Sequence, residues 1–456
     1  MSSTSLNHTS FQISDNVHPD KVFLVNLSEI EGRIDPQYYF AKNKLEIVKN
    51  TVYPVEKISN VLDMQRGRFG HRPRNDPKFY DGVYPFIQTG DVVKAHLNKS
   101  KIEFSQTLNE KGLKTSRLFN EQVVVFTIAA NIGYTAILDY PACFPDSLIA
   151  IKPKDDKLLL KYVEIYLSLV REYIESLAPQ AAQKNINYQQ LSLIPFVVPP
   201  VEIQRKIIEE NKHCVSIYKE KKIEASRLLA SINDYLLTEL GITLPEIDNS
   251  LSSRIFTIQA SQLSDNYDPS IFFNRQYQAE GKKFSNAPLD KAVNFSKGTS
   301  ISSSRVVKGD YPVVAGGKTS PYSHNTYNFT DETITISASG AYSGYVRYHD
   351  YPIFASDCIV LTVQDKDIYL ARFVYEILSF KQAEIYRLQK GAGQPHVYIR
   401  DLKKILIPHP PINKQQEVVQ HIDQIRTTAA QLQQQADEIL KTAQQRIEDL
   451  ILGNIE

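Results

Sequence analysis

The sequence predicts an α+β fold made by tandem duplication: two globular regions, each followed by a long helix, with the two helices pairing as an antiparallel coiled coil. Three observations predict it. Fixed spacings recur between the halves of the 456-residue chain, each half runs through the same order of strand-like and helix-like stretches, and both halves close on an apolar heptad seam. The boundaries that follow are 21–200 and 254–411 for the globular regions and 201–241 and 412–452 for the helices.

The repeat begins with Asp35-Pro36 followed by Tyr39-Phe40, which returns as Asp268-Pro269 followed by Phe272-Phe273. Gly133-Tyr134, Asp139-Tyr140-Pro141 and Asp146 return as Gly344-Tyr345, Asp350-Tyr351-Pro352 and Asp357, an offset of 211. From that glycine the halves are expected to run without a gap, through Gln183 and Gln394, Pro199-Pro200 and Pro410-Pro411, and Gln204 and Gln415. The offset is 233 at the Asp-Pro pair and 227 at Tyr84-Pro85 against Tyr311-Pro312. All 22 residues of length difference therefore precede the Gly-Tyr motif, which marks that stretch as the variable one.

Strand-like runs at 122–128 and 333–337 are rich in β-branched and aromatic residues. Helical stretches at 158–177 and 369–388 follow, and then short apolar segments that end in a double proline. Proline is tolerated before or in the first turn of a helix, so each Pro-Pro is a start signal. The second helix carries Val418, Ile422, Ile425, Ala429, Leu432, Ala436, Ile439 and Ala443 in alternating steps of four and three, with Leu450 continuing the register past Arg446. The first carries Ile203, Ile207, Cys214, Tyr218, Ala225, Leu229, Ile232, Leu236 and Leu240, with Gly241 as its C-cap. Two seams of nearly equal length can satisfy each other, and antiparallel pairing would set the globular regions at opposite ends of a rod.

A hydrophobic content of 42% is enough for sizeable cores, and 52 Lys+Arg against 51 Asp+Glu exclude a globally basic particle while permitting local basic patches. Three cysteines without a CxxC pair exclude a disulfide framework and a Cys-rich zinc site, and point to a reducing compartment. No apolar run is long enough to cross a bilayer and no signal-peptide pattern opens the chain, so a cytoplasmic protein without membrane association is expected.

Catalytic motifs are near misses. Gly316-Gly317-Lys318-Thr319 looks like the end of a phosphate-binding loop, but Pro312 stands where the first glycine belongs and has no N–H for phosphate. Gly391-Ala392-Gly393-Gln394 lacks the third glycine of a dinucleotide fingerprint. Pro145-Asp146 with Lys152 lacks the second acid of a nuclease motif, since Ala150 stands there. No histidine pair has zinc-protease spacing, and neither double proline sits in the tetrapeptide with which an amino-methyltransferase holds its target base. No catalytic residue, no metal and no cofactor is expected in this chain.

Residues suited to DNA cluster before the Gly-Tyr motif. Between Val61 and Asn120 eleven Lys/Arg face six Asp/Glu, and the densest part, 66–74, carries Arg66, Arg68, His71, Arg72 and Arg74 around Phe69 on a Gly/Pro loop. Arginine's planar fork pairs with phosphate or with the O6/N7 edge of guanine. The equivalent stretch of the second half carries Lys297, Ser302, Ser303, Ser304 and Arg305, which replaces arginines by hydroxyls. Lys318 and the tyrosine-rich strip at 322–348 are further candidates. Identical scaffolds with different loop chemistry suit two readers of two different sequences.

This pattern resembles the DNA-specificity subunits of type I restriction-modification systems. The resemblance runs from about Lys21 to Leu452 and rests on the two variable regions, each closed by Pro199-Pro200-Val201-Glu202-Ile203-Gln204 or Pro410-Pro411-Ile412-Asn413-Lys414-Gln415, and on the turn from Gly391 to Gln394. The family usually places Glu-Gln after Pro-Pro, and both copies depart from that; Gln180 stands where the first half would have its turn glycine. The resemblance implies a non-catalytic subunit with two target-recognition domains, each reading one half of a split site in double-stranded DNA. It also implies partners: two methyltransferase subunits, which bind S-adenosylmethionine, and restriction motor subunits. Ile207, Leu229, Ile232, Leu236, Ile422, Ile425, Leu432 and Ile439 would then form the helix pair that holds them. Three other readings stay open: a partner that fuses nuclease and methyltransferase, a chain that is itself a DNA methyltransferase or nuclease, and a protein-binding scaffold. The last two are separated from the first by S-adenosylmethionine binding or DNA cleavage by the chain alone, and by salt-independent partner binding.

About 38 helical residues at 1.5 Å rise give roughly 57 Å, which at 3.4 Å per base pair spans no more than about 17 base pairs. Inserting four residues after Ala230 is expected to lengthen the unread spacer by one or two base pairs, as read by methylation mapping. An unaltered spacer in an active complex would show that helix length does not set it.

Overall fold

The computed structural model describes residues 46–70, 75–178, 185–244, 280–330, 332–391 and 393–455, with single positions at 24, 25, 27, 30, 39, 250, 252, 255 and 257. The Asp-Pro repeats at 35 and 268 and the residues Gln180 and Gln183 lie outside the described residues. The chain divides into two compact units, Met1–Glu220 with Gln435–Glu456, and Lys221–Gln434. Each globular region therefore groups with half of each long helix.

The first unit is built on a four-stranded antiparallel sheet in the order Leu62–Arg66, Leu148–Pro153, Val123–Thr127, Thr135–Leu138. Val124, Phe126, Ile149 and Ile151 cluster with Tyr162, Val163 and Tyr166 of the helix Leu160–Leu169. Val123, Val125, Leu138 and Leu148 of the other face cluster with Val92 and Ala95 of the helix Thr89–Leu97 and with Phe119 and Phe144. Burial on both faces is why the strand reads as a continuous apolar run instead of alternating. A second sheet holds Tyr80–Phe86 between Gln106–Leu108 and Ala142–Cys143, with Leu118–Phe119 at its edge.

The second unit repeats the order with Val293–Lys297, Cys358–Val363, Thr333–Ser337 and Val346–His349. The parallel contact Phe86 to Cys143 recurs as Val313 to Phe354. Among the described residues the helix Thr89–Leu97 has no counterpart: between Tyr311–Val314 and Thr333–Ser337 they include only the short strand Ser323–His324. The extra residues of the first half thus build this helix and its neighbours. Its absence leaves a more polar face on the second sheet, where Thr333, Thr335, Ser337 and His349 are buried. Thr335 Oγ1 lies 2.9 Å from His349 Nε2, and burial pushes that imidazole down to about 4, so it is neutral near pH 7.

The gapless 211 offset is corrected by strand register. Arg66 pairs with Ile149 and Lys297 with Ile359, so Leu148–Pro153 matches Cys358–Val363 at 210. A turn can lose one residue cheaply, whereas a one-residue slip in a strand turns its buried face outward. The Gly-Tyr glycines have φ of 84° and 89°, and a Cβ on Gly133 would stand 2.6 Å from Arg171 Cγ, so both positions need glycine. The stretches expected as single helices break after one segment, into Leu160–Leu169 and Arg171–Ser176, and into Ala371–Phe380 and Gln382–Tyr386.

Each long helix, Val201–Leu240 and Ile412–Leu452, starts one residue after its double proline and is fastened by a fully buried glutamine. Gln204 accepts from the Leu159 N–H (2.8 Å) and donates to the carbonyls of Lys157 (2.7 Å) and Pro199 (2.9 Å). Gln415 makes the same three bonds, to Leu370 N–H (2.9 Å), Ile368 O (2.8 Å) and Pro410 O (2.9 Å).

The buried row of the second helix is Ile422, Ala429, Ala436, Ala443 and Leu450, while Ile425, Leu432 and Ile439 are half-buried. On the first helix Ile207, Cys214, Ala225, Ile232 and Leu236 are buried. Leu229, expected in the seam, is 40% exposed. The register steps from Ala225 by three to half-buried Leu228 and then by four to Ile232, which turns Leu229 outward. Leu236 and Leu240 join the core of the second unit beside Leu289 and Ile407. Inside the first unit Ile207 clusters with Ile447 and Ile451, and Arg446 lies 3.2 Å from Glu210. Inside the second, Lys414 bonds Glu239 at 2.7 Å and His421 packs on Tyr235. In each unit, then, the helix segments run antiparallel.

Gln204→Leu leaves one buried and two partly buried backbone groups without this partner and should cost about 2 kcal/mol in chemical denaturation, with a similar loss for Gln415→Leu. A change within experimental scatter would show that the glutamines do not hold the helices.

Candidate nucleic-acid interface

In the first unit the chain leaves Leu62–Arg66 and crosses the turn before Leu148. Gly67 N–H donates to Leu148 O (2.9 Å) and Arg68 N–H to Phe144 O (3.0 Å), and a Cβ on Gly67 would lie 2.3 Å from Pro145 O. The second unit repeats this crossing with Gly298 N–H on Cys358 O (2.9 Å) and Thr299 N–H on Ala355 O (2.9 Å), where a Cβ would lie 2.0 Å from Ser356 O. Only glycine passes at either place. Arg66-Gly67-Arg68 and Lys297-Gly298-Thr299 are therefore the same structural position with different side chains.

Arg66 Nε donates to Asp146 O at 2.5 Å, Arg117 Nη1 to Arg66 O at 2.7 Å, and Ser116 Oγ to Arg68 O at 2.7 Å. The backbone of this loop is held on both sides while the side chains of Arg66 and Arg68 stand exposed. Phe69 is 3% exposed and packs on Phe79, Tyr80 and Phe86. It anchors the loop and is not a surface for stacking bases. His71, Arg72 and Arg74 lie outside the described residues.

In the second unit Lys297, Ser302, Ser303, Ser304 and Arg305 are exposed, with Ser302 and Ser304 hydroxyls 3.0 Å apart. Buried Ser356 fixes the start of this loop by accepting from the Ile301 N–H at 3.2 Å. Lys318 is exposed, its ammonium 5.0 Å from the Tyr342 ring and 5.5 Å from that of Tyr345. Its loop approaches the same turn: a Cβ on Gly316 would meet Ser339 O at 2.8 Å and Asp357 Oδ2 at 3.9 Å, and Ser339 Oγ donates to Asp357. The structure thus brings Lys297, the serine loop and Lys318 around one turn. Sequence reading missed the supporting residues Arg117, Ser339 and Ser356; the two glycines at matching offsets were the available signal. Tyr322, Tyr327 and Tyr342 of the aromatic strip are exposed, while Tyr345 and Tyr348 are half-buried.

These loops offer hydrogen-bond donors and cations suited to phosphates and base edges. Burial pushes the Cys358 thiol beneath them up to about 12, which keeps it protonated. Among the described residues no group of three His, Cys, Asp or Glu side chains is placed to hold a metal ion, and no helix is long and apolar enough to cross a membrane.

Two matched loops on duplicated scaffolds define a protein that presents two different contact surfaces of one kind. The family model described as the type I restriction modification DNA specificity domain matches residues 53–225 and 288–441. The chain belongs to that family and carries its domain twice, as recognition of a bipartite DNA target requires. It is 20% identical over 369 residues to a protein named as a type I specificity subunit in Mycoplasma pneumoniae, covering 80% of this chain and 86% of that one. A similarly named protein of Mycoplasma genitalium is 22% identical over 369 residues, covering 80% and 85%. The fold matches a chain from a solved type I restriction-modification complex with a TM-score of 0.51 and 14% identity, over 88% of this chain and 98% of that one.

Alanine at Arg66 or Arg68 should weaken cognate and scrambled duplexes alike and lower the salt slope by about one if the side chain meets phosphate. If it meets a guanine edge, the loss should be roughly 1 to 3 kcal/mol on the cognate duplex alone. Unchanged binding of both duplexes would leave these arginines as solvated surface.

Proposed function

We propose that this chain is a non-catalytic subunit that reads a split, asymmetric site in double-stranded DNA, one half with each unit, and brings modification and restriction subunits to it in the cytoplasm. The observation that carries this reading is the shared crossing at Gly67 and Gly298, which gives the two units the same loop position with arginines in one and hydroxyls in the other. A scaffold shared to that degree keeps both loops in equivalent poses, and their chemistry selects different sequences. Two methyltransferase subunits bind the outer faces of the long helices and supply S-adenosylmethionine, and restriction motor subunits join them. A partner that fuses nuclease and methyltransferase would use the same surfaces.

The seam supports partner binding by holding the helices together. Ala429 is 1% exposed, so a carboxylate there would be buried at a cost. Ala429→Asp with Leu432→Asp should abolish co-purification of the expected two methyltransferase subunits, measured by mass under native conditions. Normal stoichiometry in that variant would contradict the reading, as would S-adenosylmethionine binding or DNA cleavage by the isolated chain.

A further inference from the structure

The first unit holds a cleft of about 810 Å³ at the edge strand Thr135–Leu138, between the helices Thr89–Leu97 and Leu160–Leu169 and the long-helix segments of the same unit. Its floor is apolar, with Ile137, Ile165, Leu169 and Val215, and its walls carry Lys99, Lys219 and Lys441 from three different elements. Among the described residues these three ammonium groups have no hydrogen-bond or ion-pair partner, whereas Lys101 and Lys161 are paired with Asp139 and Glu164. Lys99 sits at φ 51°, and burial together with the nearby Lys161 and Arg171 lowers its pKa against the pull of Glu164. Lys99 and Lys219 are half-buried and Lys441 is exposed, so three ammonium groups without an ion-pair partner border an apolar floor, a surface complementary to something anionic and partly apolar.

The duplication supplies a control within the same chain. At the positions matching Ile165 and Val215 the second unit has Glu376 and Arg426, and at those matching Lys161 and Lys212 it has Arg372 and Asp423. Arg426 grips Glu376 with both ends of its guanidinium, Arg372 bonds Asp423 at 3.0 Å, and Arg372 covers the rings of Tyr348 and Tyr375. Glu376 is 2% exposed. The place that is an open cleft in one unit is filled by an internal ion network in the other.

We infer that this cleft docks a short acidic amphipathic helix of a partner protein, at the first unit only. An apolar helix face would cover the floor while its carboxylates meet Lys99, Lys219 and Lys441. Duplex DNA also brings anions, but its phosphate backbone has no apolar face with which to cover Ile165 and Val215. The inference does not depend on how the chain reads DNA, and it makes the two ends inequivalent toward partners.

The test uses the full chain and a labelled peptide of about 14 residues, roughly four helical turns, with Leu on one face and Glu on the other. A scrambled peptide of the same composition and a random-sequence DNA duplex are the comparisons, and binding is read by fluorescence anisotropy. The patterned peptide should bind at least about tenfold more tightly than the scrambled one, roughly 1.4 kcal/mol. Lys99→Glu with Lys219→Glu and Lys441→Glu should remove that binding while leaving the melting temperature and duplex affinity unchanged. Ile165→Glu with Val215→Arg, which copies the second unit's pair, should also remove it. Equal binding of both peptides, unchanged peptide binding in the triple-lysine variant, or a parallel loss of duplex binding in that variant would each overturn the inference. The last outcome would assign the cleft to DNA phosphate.

Discussion

A buried glutamine fastens each long helix to the sheet domain before it, and the rest of the structure depends on that joint. Leu159 and Leu370 begin the helices Leu160–Leu169 and Ala371–Phe380 with no side-chain cap of their own. The amides of Gln204 and Gln415 accept the N–H of those residues and donate to two carbonyls, one of them on the double proline that starts the long helix. A buried polar side chain is tolerated only with its bonds made, and here two of the three made bonds tie together elements about 45 residues apart in sequence. A leucine in the same place could pack but could not fix the direction in which the helix leaves the domain.

With the joint fixed, variation is confined to what surrounds the shared sheet. The first unit covers one sheet face with an added helix and an aliphatic layer, whereas the second closes the equivalent region with a shorter connection over Thr335 and His349. Both keep the glycine crossing, because a side chain there would collide with a backbone oxygen. The exposed side chains beside the crossing carry no such constraint, so Arg68 can stand where the other unit has Thr299. Backbone constraint and side-chain freedom at adjacent positions let one fold carry different loop chemistry.

Much of this was legible in the sequence. The duplication, the paired order of elements and the helix starts followed from fixed spacings and from Pro-Pro. The seam of the second helix was clear because its alanines and leucines have polar neighbours. On the first helix Leu228 and Leu229 are both apolar, and pattern alone does not say which one the register takes. The one-residue strand shift was hidden because both 210 and 211 place apolar residues in the strand, and only pairing decides between them. The sequence left the role of Phe69 open, because an aromatic among arginines can stack on bases or anchor the loop, and its burial selects the second. The glutamine joint was visible as a repeated letter, but its bonds to residues far back in the chain were not.

The central claim is that two units on one scaffold read two different half-sites. Genome-wide methylation mapping in a host carrying this subunit and its methyltransferase partner tests it most directly. The account predicts an asymmetric motif of two short specific segments separated by an unread stretch of constant length. A single uninterrupted motif, or two identical half-sites despite the different loops at Arg66 and Lys297, would contradict it.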